Sequence, residues 1–262
     1  MSQPGPPALL EIVGLRRSFY GVAALNGVDL KVAARTITGL IGPNGAGKTT
    51  LFNCVSGLIP PQGGTVLFDG VDITGWRSDR ITRQGLVRTF QIARGFPRLS
   101  VMENLLLYGA GQPGERILQA VLRSPAAKRR EEELRTRARV VAHRLNLARV
   151  LDNRAAELSG GQKKLLEIGR ALMTDPKLIL LDEPIAGINP TLAEEVGTHL
   201  RALRDDGVSF LVIEHHMDMI ARLCDPVIVL AEGRTLAQGS FATIQANDEV
   251  QEAYMGRRRW VS

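Results

Sequence analysis

Long hydrophobic runs are missing from this 262-residue chain. No stretch contains the ~18 consecutive apolar residues that a membrane-spanning helix needs. The first seven residues, MSQPGPP, also lack the positive segment and the apolar core of a secretory signal. We therefore expect a protein that stays in the cytosol and does not insert into a membrane by itself.

Cysteine and aromatic residues are scarce. Cys54 and Cys224, the two cysteines, are too few for a disulfide framework and lack metal-ligand spacing, so we expect packed thiols. Aromatic residues make up 5% of the chain, and none lies between Tyr108 and Phe210. Because proteins that bind single-stranded nucleic acid stack its bases on aromatic side chains, this scarcity argues against nucleic-acid binding.

The excess of positive over negative residues comes from one segment. The formal net charge is +6, and residues 115–150 alone hold ten Lys or Arg against four Glu. Within this segment Lys128–Arg130 is followed directly by Glu131–Glu133, at spacings that form ion pairs on a helix. The pattern favours a solvated, ion-paired helix. The alternative is a surface that lies near anionic lipid headgroups or a partner.

Short β-like runs fall into two groups. The runs Leu9–Val13, Val28–Val32 and Thr65–Phe68 are separated by Gly, Pro or Asn, which predicts a small sheet of hairpin-like strands. The second group is almost continuously apolar, which is the pattern of parallel strands covered on both faces. Its members are Thr36–Ile41, Leu178–Leu181, Phe210–Ile213 and Val227–Leu230.

Helical periodicity alternates with the apolar strands. The predicted helices are Lys48–Ser56, Lys163–Met173 and Thr191–Leu203. Between Ile92 and Val150 the β-like runs stop, and charged segments with Leu and Ala predict a mostly helical insertion. The sequence thus predicts an α/β fold with a mostly parallel sheet, a small antiparallel β part and a helical part.

A glycine-rich loop follows the predicted strand that ends at Ile41. Its residues are Gly42, Pro43, Asn44, Gly45, Ala46, Gly47, Lys48 and Thr49, and Thr50 comes next. Glycine lets backbone N–H groups approach phosphate oxygens, and a helix N-terminus adds a favourable positive potential. The spacing predicts that Lys48 reaches the β- and γ-phosphates of a nucleotide and that the Thr49 hydroxyl binds Mg²⁺.

Two carboxylates follow the buried strand Leu178–Leu181. Asp182 fits the acid that holds Mg²⁺ through water, and Glu183 fits the base that polarises an attacking water. The alternative is an exposed acidic turn before Pro184. The phosphate-binding loop elsewhere in the chain favours the catalytic interpretation.

A second glycine-rich segment precedes the helix predicted at Lys163. Its residues are Leu158, Ser159, Gly160, Gly161 and Gln162. Ser159 can cap that helix, and the two glycines let backbone amides face an anion. Because this half-site has no phosphate-loop lysine of its own, we expect it to close over nucleotide held by a second subunit.

Together the three motifs resemble the ATP-binding cassette family of transporter ATPases. Gly42–Thr49 is similar to the Walker A motif of that family, Leu158–Gln162 to its signature motif, and Leu178–Glu183 to its Walker B motif. The resemblance implies ATP and Mg²⁺ as cofactors. It also implies a head-to-tail dimer in which ATP lies between Walker A of one subunit and the signature of the other.

The resemblance further implies a domain organisation and a set of partners. Residues 1–91 and 166–262 are expected to form a P-loop NTPase core with the antiparallel β subdomain, and residues 92–165 the helical signature subdomain. The expected partners are a second ATPase subunit, either a copy or a paralogue, two membrane permeases and, indirectly, an external solute-binding protein. The chain is expected on the cytoplasmic side of the inner membrane, as a peripheral subunit.

Three further side chains resemble functional positions of that family. Gln91 matches the Q-loop glutamine that contacts Mg²⁺ and the attacking water, and His215 matches the switch histidine that senses the γ-phosphate. Phe19 matches the aromatic residue that stacks on adenine, although the adjacent Tyr20 could take that role. With Glu183, the resemblance makes Gln91 and His215 the catalytic set.

Details outside the main motifs resemble one branch of the family. Asn189 and His216 stand where many members have Asp, a departure that bears on communication between subunits. The loop around Asn189, the run Arg88–Gln91, the long insertion and the run Glu214–Met217 resemble the branched-chain amino-acid uptake branch, in particular its larger ATPase type. Urea or amide importers and lipopolysaccharide-export ATPases share much of this pattern.

The function implied by the resemblance is the ATP-hydrolysing motor of a membrane importer. One alternative is a cassette ATPase that acts on DNA or ribosomes, but such proteins usually have two cassettes in one chain or a long coiled-coil insertion. Another is a small-molecule P-loop kinase. A kinase leaves Leu158–Gln162 and His215 unexplained.

Overall fold

The computed structural model of the chain describes residues 8–89, 96–109 and 125–255. The chain divides into two compact units. The first comprises Met1–Arg88, Lys177–Pro184 and Leu200–Ser262, and the second comprises Thr89–Pro176 and Ile185–His199.

A mostly parallel sheet lies in the first unit. Its strands within the described residues are β3 (Ile37–Ile41), β6 (Leu86–Arg88), β7 (Leu178–Asp182), β8 (Ser209–Ile213), β9 (Val227–Ala231) and β10 (Arg234–Gly239). Their order in the sheet is β10-β9-β3-β8-β7-β6. Among these described strands, only β10 pairs antiparallel, with β9, and the other neighbours pair in parallel. Strands β3, β7 and β8 are buried at every residue, as their continuous apolar runs predict.

An antiparallel sheet lies in the same unit. Its described strands, in the spatial order β2-β1-β4-β5, are β1 (Ala8–Phe19), β2 (Val22–Ala33), β4 (Gly63–Phe68) and β5 (Val71–Asp72). Tyr20 and Gly21 form the two-residue turn between β1 and β2, and both have positive φ, as tight hairpins require. Side chains of β1, β2 and β4 share one hydrophobic core with strands β3, β7, β8 and β9.

Helices complete both units. Within the described residues the α-helices are α1 (Lys48–Val55), α2 (Ser78–Gln84), α3 (Val101–Leu106), α4 (Pro125–Arg144), α5 (Gly160–Leu172), α6 (Pro190–Asp205), α7 (Met217–Leu223), α8 (Phe241–Gln245) and α9 (Asp248–Met255). Helix α4 buries Leu134, Ala138, Val141 and Ala142, which form one stripe at helical spacing. In the ranges that the structure describes, no helix is both long enough and apolar enough to cross a lipid bilayer.

The predicted fold class is confirmed, and so are the packed cysteines. Cys54 and Cys224 are free and buried, and burial raises their thiol pKa values to about 11 and about 12. Both thiols therefore stay protonated at neutral pH, as expected of structural cysteines. The sequence did not predict the three-residue strand β6 or the mostly polar edge strand β10, because neither shows a clear apolar pattern.

Candidate functional site

The first glycine-rich loop connects β3 to α1. Gly42, Gly45 and Gly47 have φ angles of 151°, 82° and 102°, a region that favours glycine. An added Cβ at Gly42 would lie 2.0 Å from the Leu230 carbonyl oxygen, and one at Gly47 would lie 2.4 Å from that of Ala24. The fold itself therefore requires these glycines. A loop of this kind, ending at a helix N-terminus, presents backbone N–H groups to an anion.

Lys48 is buried at the start of α1. Its Nζ donates hydrogen bonds to the carbonyl oxygens of Gly42 at 2.6 Å and Pro43 at 3.0 Å. Burial lowers the pKa of Lys48, while the negative charges of Glu183 and Asp182 act in the opposite direction. The ammonium thus lies inside the loop, within the electrostatic field of both carboxylates.

Asp182 is the last residue of β7, and its side chain is only 7% exposed. Its Oδ2 accepts a hydrogen bond of 2.9 Å from Nη2 of Arg88, and the Arg88 side chain is 8% exposed. The other guanidinium nitrogen, Nη1, donates to Oδ1 of Asn53 in α1 at 2.5 Å. No role was predicted for Arg88 or Asn53 from the sequence. A charged residue that ends the short apolar run Leu86–Val87 was the available signal for Arg88.

Glu183 follows Asp182 in an unusual backbone conformation. Its φ is +50°, in the left-handed region, which costs a residue other than glycine about 1–3 kcal/mol. Its N–H donates to the carbonyl oxygen of Ile213 at 2.9 Å. From this turn Oε1 of Glu183 lies 3.1 Å from Nε2 of His215. The structure therefore brings together two of the three predicted catalytic residues.

Glu214 organises the segment that carries His215. Its side chain is buried, and Oε2 accepts a hydrogen bond of 3.1 Å from the backbone N–H of His215. The same oxygen lies 3.2 Å from Nδ1 of His216. His216 was predicted as a departure from the family pattern, whereas Glu214 entered only as part of the run Glu214–Met217 and was given no role of its own. A carboxylate that ends the apolar run Phe210–Ile213 was the signal that could have found it.

Phe19 is the last residue of β1 and directly precedes the turn that connects β1 to β2. Phe19 is 37% exposed, and the guanidinium of Arg17 lies 4.9 Å from its ring centroid. Tyr20, the alternative adenine-stacking residue, is fully exposed at the tip of the turn. The same hairpin contacts the phosphate loop, since Ala24 of β2 faces Gly47. Both aromatic candidates thus lie on a hairpin that contacts the loop, and Phe19 stays the predicted adenine-stacking residue.

The second glycine-rich segment forms the N-terminus of α5, in the second unit. Ser159 is the N-cap, as predicted: its Oγ accepts from the Gln162 N–H at 3.2 Å, and Gln162 Oε1 accepts from the Ser159 N–H at 3.0 Å. The predicted start at Lys163 is wrong, because this reciprocal capping lets the helix begin at Gly160. Gly160 and Gly161 thus lie in the first helical turn.

Gln91, the third predicted catalytic residue, lies outside the described residues. The other predicted groups of the first unit fit a nucleoside triphosphate with a divalent cation. The buried Lys48 ammonium contacts carbonyl oxygens that a phosphate could replace. Thr49 and Thr50 occupy the first turn of α1, and hydroxyl and carboxylate oxygens such as those of Thr49 and Asp182 are ligands that Mg²⁺ accepts.

Comparison with known families gives two matches along the chain. Residues 25–186 match the family model described as ABC transporter. Residues 234–259 match the model described as branched-chain amino acid ATP-binding cassette transporter.

Individual relatives resemble the chain over nearly its whole length. A probable branched-chain amino acid transport ATP-binding protein LivG of Archaeoglobus fulgidus is 42% identical, covering 95% of both chains. The high-affinity branched-chain amino acid transport ATP-binding protein BraF of Pseudomonas aeruginosa is 38% identical, covering 98% of this chain and 99% of the relative. Among solved structures, the ADP conformation of an ATP-binding cassette of an ABC transporter superposes with a TM-score of 0.84 at 37% identity, covering 95% and 99% of the two chains.

Proposed function

The chain belongs to the ATP-binding cassette family of transporter ATPases, and we propose that it is the motor subunit of an importer for branched-chain amino acids. The family that the three motifs predicted is confirmed, and with it the ATPase activity. The substrate class is supported by the match at residues 234–259, which covers a segment outside the general cassette match. It is also supported by what the relatives are named to transport.

The residues of the first unit have different roles in ATP hydrolysis. Lys48 and the loop N–H groups bind the phosphates, and Thr49 and Asp182, with Gln91, hold Mg²⁺. Bound Mg²⁺ supplies neutralising charge at the β- and γ-phosphates. Glu183 accepts a proton from the attacking water as the general base. His215, at 3.1 Å from Glu183, orients that carboxylate and is the sensor for the γ-phosphate.

We assign the second glycine-rich segment to the site of a neighbouring subunit. Ser159, Gly160, Gly161 and Gln162 offer capped helical N–H groups but no lysine. In this proposal ATP on Gly42–Thr49 of one subunit is covered by Ser159–Gln162 of another, either a copy or a paralogue. Hydrolysis then needs both subunits, whereas binding needs one.

The second unit is the proposed contact for the permeases, with residues 92–165 as the signature subdomain. A cavity of about 340 Å³ in this unit is lined by Pro97, Lys163, Leu166, Glu167 and Arg170, among others. Glu167 Oε1 and Arg170 Nε are buried there and have no hydrogen-bond partner within residues 8–89, 96–109 and 125–255. Burial raises the pKa of Glu167. A permease segment that fills this cavity would keep the chain at the cytoplasmic face of the membrane.

The proposal is tested by solute uptake in cells that express the chain with its membrane partners. Labelled leucine, isoleucine or valine should enter wild-type cells and should fail to enter cells that carry Glu183→Gln. Uptake of urea or short amides in place of these amino acids would refute the substrate class but keep the motor assignment. Uptake that is unchanged in the Glu183→Gln cells would refute the motor assignment itself.

A further inference from the structure

A buried arginine connects the end of β7 to helix α1. Arg88 is the last residue of β6, where it pairs with Leu180 of β7. One arm of its guanidinium donates to Asp182 Oδ2 at 2.9 Å, and the other donates to Asn53 Oδ1 at 2.5 Å. The guanidinium carbon lies 5.5 Å from the ring centroid of Phe52, also in α1. The planar guanidinium of Arg88 thus contacts Asp182, Asn53 and the ring of Phe52.

Stability alone does not account for this arrangement. The side chains of Arg88 and Asp182 are 8% and 7% exposed, so both charges lose most of their hydration. A buried ion pair can often be replaced by apolar residues of similar volume with no loss of stability. The geometry has another consequence, because Asn53 lies one helical turn after Thr49 on the same helix. Arg88 therefore ties Asp182 to the helix that carries the other proposed metal-binding side chain.

We propose that Arg88 is a positioning residue for the metal site, which holds the Asp182 carboxylate at a fixed place relative to Thr49. The bond to Arg88 uses Oδ2 of Asp182, so Oδ1 is the oxygen that would serve a hydrated cation. Hydrogen-bond partners of metal-binding carboxylates commonly change metal affinity or activity 10–100-fold when they are removed. This inference rests on the proposed function, since it assumes that Asp182 serves Mg²⁺.

The test is Mn²⁺ binding to the ADP complex of the purified chain, followed by electron paramagnetic resonance. We expect Arg88→Gln to weaken Mn²⁺ affinity by about tenfold or more. Affinity for ADP without metal should stay within about twofold of wild type, because the loop contacts of Lys48 are independent of Arg88. Unchanged Mn²⁺ affinity would overturn the proposal. Tighter Mn²⁺ binding would overturn it too, since Arg88 would then act only as a competing positive charge.

Two further variants keep the test decisive if Arg88→Gln does not fold. Asn53→Ala removes the anchor on α1 but leaves the ion pair intact, and it should weaken Mn²⁺ affinity about threefold or more, the loss of one hydrogen bond. Arg88→Lys keeps the charge without the fork, and its Mn²⁺ affinity should fall between those of Arg88→Gln and wild type. Wild-type affinity in both variants would refute a positioning role.

A matched control is available on the surface of the same unit. Arg83 also pairs with an aspartate, Asp79, but both side chains are more than half exposed. Arg83→Gln should leave Mn²⁺ and ADP affinities at wild-type values. A loss of Mn²⁺ affinity with Arg83→Gln as large as that with Arg88→Gln would overturn the proposal. The proposed function fails if the wild-type protein binds no ADP, or if its ADP complex binds no Mn²⁺. Only this inference fails if wild type binds both and the Arg88 variants have the same Mn²⁺ affinity as wild type.

Discussion

The two glycine-rich segments look alike in the sequence and differ in what their glycines do for the fold. In Gly42–Thr49, the three glycines have positive φ, and two of them lie so close to neighbouring backbone that no side chain fits. In Ser159–Gln162, both glycines lie in an ordinary helical turn. An added Cβ at Gly160 would lie 3.5 Å from Ile188, a normal contact, and one at Gly161 would lie 3.0 Å from Leu192.

This difference separates structural need from functional need. The first loop must contain glycine even in a protein that binds nothing, because its backbone and its packing demand it. Gly160 has no such reason within its own subunit, because it lies in an ordinary helical turn and an added Cβ there would make only a normal contact. Its presence therefore supports a role toward something outside the subunit, which is how we interpret the signature motif.

The largest expected effect is a loss of ATP hydrolysis in a variant that still binds ATP. Glu183→Gln should lower the ATPase rate by roughly 100-fold or more, because a general base contributes that much. ATP binding by the first loop should persist, and the closed dimer should accumulate in ATP, as measured by light scattering. Hydrolysis at the wild-type rate would remove Glu183 as the base.

Paired alanine substitutions test the contrast between the loops directly. Gly47→Ala should lower the free energy of unfolding by about 2–4 kcal/mol, because φ is +102° and the new methyl group would meet the Ala24 carbonyl. Gly160→Ala should change it by less than about 0.5 kcal/mol. Urea denaturation measures both values. Equal losses of stability would show that the two segments do not differ in the way we describe.

Gly160→Ala should nevertheless impair function. A methyl group on the first turn of α5 would keep the helix N–H groups from a neighbour's phosphate, and a displacement of that size lowers the ATPase rate at least about tenfold. Steady-state ATPase assays at saturating ATP measure the rate. Full activity in this variant would mean that Gly160 has no role toward the second nucleotide.

A smaller effect is expected at the adenine end of the first loop. Phe19→Ala should raise the KM for ATP about five- to tenfold, the usual contribution of one stacked base, with little change in kcat. Tyr20→Ala is the matched control and should leave KM within about twofold of wild type, since Phe19 is the residue assigned to adenine. The opposite pattern would assign adenine stacking to Tyr20.

The smallest effect is expected on helix α4. The pair of Arg130 with Glu133 at 2.9 Å has the spacing predicted for an ion-paired helix. Arg135 and Arg139 also pair, with Glu131 at 3.0 Å and Glu132 at 3.7 Å. Replacing both Arg135 and Arg139 by Glu should change the free energy of unfolding by less than about 1 kcal/mol. Transporter assembly and ATPase activity in vesicles should stay unchanged. A clear loss in vesicles would instead support a contact between this helix and anionic lipid headgroups.

Local patterns predicted most of the fold and pointed to the residues of the candidate site, but not the contacts between distant segments. Apolar runs located β3, β7, β8 and β9, because a strand buried on both faces has an unmistakable composition. The role of Arg88 depends on Asn53 and Asp182, which are distant in sequence. The role of Glu214 depends on how the chain turns back toward its side chain at His215 and His216. The positive φ of Glu183, which directs its carboxylate toward His215, leaves no trace in residue type.

The central claim, that the two segments serve different ATP molecules, is tested by mixing two inactive variants. One carries Lys48→Ala, and the other carries Ser159→Arg, which blocks the signature. A mixed dimer combines an intact loop from one subunit with an intact signature from the other. Since half of the dimers are mixed and each holds one complete site of two, we predict that roughly a quarter of the wild-type ATPase activity returns. No recovery, from variants that still form dimers, would show that both segments act on one nucleotide within a single subunit.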